Sequence, residues 1–110
     1  MTSFTFRNLG RPAVAAAIVL LLGAINAHAE EAKITIDNFT FGPPELTVKV
    51  GDTVTWTNHD DIPHTVVSAG KFRSKTLDTD NTFSFTFTAA GDFKYFCSLH
   101  PHMTGMIKVE

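Results

Sequence analysis

The feature that most limits how this chain folds is a period of two. In ELTVKV, Leu46, Val48 and Val50 fall on one side and Thr47 and Lys49 on the other. In TVTWTN, Val54 and Trp56 alternate with Thr53, Thr55 and Thr57, and in TFSFTFT, Phe83, Phe85 and Phe87 alternate with Ser84, Thr86 and Thr88. A strand sends successive side chains to opposite faces, so each stretch reads as a strand with one face buried. The β-branched and aromatic residues are those that pack well on such a surface. Further strands are expected over residues 33–37, 65–68, 92–97 and 105–109, with turns at Gly42-Pro43-Pro44, Gly51-Asp52 and Ala90-Gly91-Asp92. Residues 69–80 are polar and carry no clear period, and a loop over one sheet edge is expected there. No helical period runs through these segments. Seven or so short strands predict an all-β domain, an antiparallel sandwich or a small barrel.

The N-terminus has a different character. Arg7 and Arg11 precede an apolar run from Ala13 to Ile25, and Ala27-His28-Ala29 is a small-x-small cleavage signature. This is the pattern of a secretory signal peptide over residues 1–29, with the cut before Glu30 and a domain over residues 30–110. The run is short for a membrane span, so no membrane attachment is expected after cleavage. Cleavage leaves 81 of the 110 residues and removes Arg7 and Arg11, which takes the formal charge from −2 to −4. With no basic stripe left, nucleic acid is excluded as a partner.

Export makes the single cysteine, Cys97, conspicuous. Small exported domains use cysteines in pairs, and one thiol makes no internal bridge. Cys97 stands in YFCSLHPHM, three residues before His100 and six before Met103. A strand is expected to end at Cys97, with a proline-containing loop carrying His100 and Met103 before the last strand. Thiolate, imidazole and thioether form a soft donor set that suits copper; zinc would take the first two and gain little from the third. A copper site for electron transfer needs two histidines, one cysteine and a weak axial methionine, so a second histidine has to come from elsewhere. His64, in HDDIPHTVV, follows Pro63 and precedes an apolar strand, and is the candidate. Each residue alone has a plainer reading: a buried inert cysteine, a loop histidine, a packing methionine. Met106 is the rival axial ligand, while His59, Asp60 and Asp61 read as solvated loop residues and His102 as a surface residue beside the site.

Taken together these segments resemble the cupredoxins, the small blue copper proteins, and within them the amicyanin and plastocyanin group. FGPPELTVKVGDTVTWTN is similar to the family's opening strands, PHTVV to its first-histidine segment, and FTAAGDFKYFCSLHPHMTGMIKV to its closing ligand loop. The spacing of cysteine, histidine and methionine is similar to the short loop of amicyanin. The resemblance implies a Greek-key β-sandwich of seven to eight strands, with one type 1 copper ion on His64, Cys97, His100 and Met103. It also implies a periplasmic carrier of single electrons, without enzymatic turnover, that docks as a monomer with redox proteins such as a dehydrogenase, a cytochrome or a reductase. Leu99, Pro101 and Pro63 would form an apolar rim around His100. Two positions depart from the pattern. His102 stands where the amicyanin loop has phenylalanine, and Thr65 where many members have an asparagine that bonds across to the residue after the cysteine. A Thr65–Ser98 hydroxyl pair is expected in place of that link. The alternative reading is a periplasmic protein for copper delivery or storage.

Overall fold

Nine strands form among residues 29–110, the part of the chain that the computed structural model describes. The leader assigned to residues 1–29 lies, but for its last residue, outside the described residues. The strands are β1 (Glu31–Asp37), β2 (Thr40–Gly42), β3 (Glu45–Val48), β4 (Thr53–Asn58), β5 (Val67–Ser68), β6 (Phe72–Arg73), β7 (Thr82–Thr86), β8 (Gly91–Cys97) and β9 (His100–Val109). They make two sheets, ordered β2-β1-β4-β7 and β3-β9-β8-β5-β6. No described residue is helical, and the fold is a β-sandwich.

The alternation decides which residues face inward. On β4 the threonines are half-exposed while Val54 and Trp56 are fully buried. Ile34 and Ile36 of β1 and Tyr95 and Cys97 of β8 are buried with them, as are Ile107 and Val109 of β9. Trp56 lies at the centre of this core, its ring 5.4 Å from Tyr95 and 5.7 Å from both Phe72 and Phe83. Each large apolar side chain fully buried in this way contributes about 1.5–3 kcal/mol. Packing across the β8–β9 pair is tight: a side chain on Gly105 would run into the ring of Tyr95, its cross-strand partner.

The expectation of a purely antiparallel sandwich is corrected in two places. β1 pairs with β4, and β3 with β9, in parallel. Strands adjacent in sequence, β3 and β4, lie in different sheets, so each finds a partner from a distant part of the chain that runs in the same direction. Val50 does not join the buried face either: β3 ends at Val48, and Val50 is 49% exposed in the turn before β4. The segment 69–80, expected as a loop, holds β6 as an edge strand paired with β5. Its two large apolar residues set that placement. Phe72 is buried among Trp56, Phe83, Phe85 and Phe87, and Leu77 is buried against the strand approach at His64.

Candidate metal centre

The centre forms at one end of the sandwich, where the β8–β9 hairpin turns. Cys97 pairs with His100 across Ser98 and Leu99, but the preceding residue, Phe96, pairs with Thr104. Residues 101–103 therefore have no counterpart on β8 and bulge from the ladder. A bulge is one of the few places a sheet accepts proline, and Pro101 sits in it. The final strand thus begins at His100 and not after the methionine, which corrects the expected loop. The bulge sorts its side chains: Met103 is buried, while Pro101 and His102 are exposed. Met106, further along β9, instead lines an open groove with Pro44, Glu45, Lys94 and Phe96.

His64 reaches the same point from the other side of the chain. Its main chain is fixed in both directions by Leu77: the His64 amide donates to the Leu77 carbonyl at 3.1 Å, and the Leu77 amide donates back at 2.8 Å. The imidazole is 0% exposed. Its Nδ1 lies 3.7 Å from Cys97 Sγ, and His100 Nδ1 lies 3.6 Å from the same sulfur. The three donor atoms fall within 4.8 Å of one another, and Met103 lies with them. Nitrogen and sulfur bonds of about 2.0 and 2.3 Å to one ion, at about 120°, put donors roughly 3.7 Å apart. The residues therefore fit a single metal ion.

Asp60 orients His64. Its Oδ2 lies 2.7 Å from His64 Nε2, which places the ring proton there and turns the lone pair of Nδ1 toward the sulfur. The same carboxylate accepts the amide of Asn38 on Oδ1 at 2.7 Å and that of Phe39 on Oδ2 at 3.0 Å. Asp60 is buried, which corrects its reading as a solvated loop acid; Asp61 and His59 are exposed as expected. The Phe39 amide, against the opposing effect of burial and with help from His64 and the Asn38 amide, holds the Asp60 carboxyl down at about 2. Beneath it, Asn58 accepts the Asp60 amide and donates to the carbonyls of Ile62 and Leu77, so the loop has few free polar groups.

Cys97 is set from the Thr65 side. The Thr65 amide points at Sγ from 3.4 Å. The Thr65 hydroxyl accepts the Ser98 amide at 2.8 Å and pairs with the Ser98 hydroxyl at 2.8 Å, which is the cross-link expected in place of asparagine. Burial alone would push the thiol up. The Thr65 amide, the His64 and His100 rings and the Leu99 amide outweigh it and bring the thiol down to about 6. At neutral pH the sulfur is then mainly thiolate, the form that binds metals.

Besides Asp60, a second site residue, Phe39, escaped the sequence. Asn38 and Phe39, with φ of 52° and 58°, form the two-residue turn between β1 and β2, where Asp37 pairs with Thr40. Such a turn needs two left-handed residues and favours Asn-Gly. Here phenylalanine stands in the glycine position. The residue is 52% exposed, and its ring packs edge-on against both His64, at 5.6 Å, and His100, at 5.1 Å. Leu99, Pro63 and Pro101 are exposed as well, as are Ser98 and His102. The usable signal was Asn38 alone; without glycine beside it, nothing in the pattern marked a hairpin.

Known proteins are similar to this chain in sequence and in fold. Residues 11–109 match the family model of the cupredoxin-like domain. Amicyanin from Paracoccus versutus is 33% identical, with 91% of this chain and 95% of that protein covered. Plastocyanin from Tetradesmus obliquus is 32% identical, with 79% and 71% covered. Among solved structures, a purple cupredoxin from Nitrosopumilus maritimus superposes with a TM-score of 0.70 at 35% identity, over 72% of this chain and 99% of that one. A variant of amicyanin in its Cu(I) form superposes with a TM-score of 0.71 at 34% identity, over 79% and 89%. A sandwich whose closing hairpin brings a cysteine, a histidine and a methionine against a histidine from a distant loop, in a chain so matched, belongs to the cupredoxin family.

Proposed function

We propose that this chain is an exported blue copper protein that carries single electrons, with one copper ion held by His64 Nδ1, Cys97 Sγ, His100 Nδ1 and the Met103 thioether. The observation that carries the reading is the meeting of three donor atoms within 4.8 Å, from residues 33 positions apart in the chain, in a fold shared with amicyanin. Copper supplies there a one-electron couple between Cu(I) and Cu(II), and this thiolate, two-imidazole and thioether set suits both states.

The protein supplies rigidity and a point of contact. His64 is sealed in, whereas His100 is half-buried at the surface, so the route for an electron runs through the His100 ring. The apolar face of Leu99, Pro101, Pro63 and Phe39 suits brief docking with a redox protein, since a small interface with few charges forms and parts easily. A periplasmic dehydrogenase, cytochrome or reductase fits that role. Residues 1–29 act as the export signal, and the protein works as a carrier and not as an enzyme. The visible spectrum of the protein loaded with Cu(II) tests the reading: one copper per chain with a strong thiolate-to-copper band is expected, and Cys97→Ser abolishes the band. A band that survives in Cys97→Ser would end the proposal.

A further inference from the structure

We propose that Asp60 is the positioning residue of the centre, a single carboxylate that orients the buried imidazole and secures the strained aromatic turn in front of it. The inference rests on the copper reading above and adds a residue to it. Three donors converge on Asp60: His64 Nε2 at 2.7 Å and the Phe39 amide at 3.0 Å on Oδ2, and the Asn38 amide at 2.7 Å on Oδ1. The ring bond does two things. It fixes the tautomer, leaving Nδ1 free toward Cys97, and it places a full negative charge behind a metal-facing imidazole, which strengthens Nδ1 as a donor to a metal ion.

The two amide bonds reach the other side of the site. Asn38 and Phe39 both occupy left-handed backbone, and for phenylalanine this is strained. Strain of that kind persists only where surrounding bonds over-determine it. Here the bonds come from the same carboxylate that holds His64. The ring thus carried lies against both imidazoles. A stronger Nδ1 donor favours the higher charge state of a bound ion, so Asp60 lowers the reduction potential as well as holding geometry.

Two experiments separate this from a purely structural role. In the metal-free protein at about pH 8, above the ordinary imidazole range, nitrogen-detected NMR of wild type is expected to show His64 as one tautomer with a slowly exchanging Nε2 proton. Asp60→Ala is expected to average the tautomers. In the copper-loaded protein, Asp60→Asn, which keeps the shape and loses the charge, is expected to change the preference for Cu(II) over Cu(I) about tenfold. For one electron that is a rise in potential of about 59 mV. A wild-type His64 protonated on Nδ1, or a potential that moves by less than twofold in that preference in Asp60→Asn with its visible band intact, would overturn the proposal. If wild type itself lacks the visible band, the electron-carrier reading fails instead, and the metal-free NMR still decides the role of Asp60.

Discussion

Strand β4 carries an aspartate beyond each end, and the two ends of the molecule differ in what that aspartate serves. Asp52, just before the strand, accepts the Glu30 amide on Oδ1 at 3.0 Å and the Lys49 amide on Oδ2 at 2.9 Å. Asp60, two residues past the other end, likewise accepts two amides from a neighbouring turn. Both carboxyls are held below their ordinary range, chiefly by an amide, that of Lys49 for Asp52 and that of Phe39 for Asp60. The far clip stops there and ties turn to strand. The near clip takes one more donor, the ring of His64, a proposed metal ligand. The same device carries one bond more at the end where the fold also gathers the sulfurs.

The comparison breaks most severely if the frame between the clips is removed. Trp56→Ala, in the middle of β4, is expected to destabilise the protein by about 3–5 kcal/mol, measured by urea unfolding. If β4 is the shared frame, amide exchange at Lys49 and at Phe39 rises together; a rise at one end alone would show the ends to be independent. Phe39→Gly is expected to act at the near end only. It relieves left-handed strain of about 1 kcal/mol and raises the urea midpoint while leaving the Lys49 amide unchanged. A lower midpoint would mean that the ring's contacts with the two imidazoles outweigh the strain, and that the near end is held by the ring more than by the carboxylate. Asp52→Asn has the smallest effect, and only at the far end. Colour and potential stay as in wild type. A carboxyl with a lowered folded pKa contributes stability that is full above its ordinary value of 3.8 and is lost as pH falls through the folded value. The advantage of wild type over Asp52→Asn is therefore expected to shrink in acid unfolding below about pH 4.

The same contrast explains what the sequence disclosed. β4 and β7 were legible because TVTWTN and TFSFTFT alternate without a break. The candidate ligands were legible because Cys97, His100 and Met103 lie within one short stretch and form a donor set that few structural needs would assemble. Apart from His64 and the Thr65–Ser98 pair, partners distant in sequence were not. Asp60 reads as one acid of an acid pair, and only the approach of the β1–β2 turn shows which of the two is buried. Phe39 breaks the turn rule that would have announced it. β6 was hidden because two apolar residues, Phe72 and Leu77, outweigh the polar majority of their segment once a core exists to receive them. The parallel pairs depend on crossings between sheets, which alternation does not encode.

The division of donors between two pieces of chain has a consequence for how the ion would be lost. Cys97, His100 and Met103 all ride on the terminal hairpin, whereas His64 is riveted by Leu77 to a separate segment. Peeling β9 from its neighbours would strip His100 and Met103 in one motion and leave a bound ion with only Cys97 at the end of β8 and His64. The dwell time of a bound ion would then be a clock for the opening of the C-terminal strand.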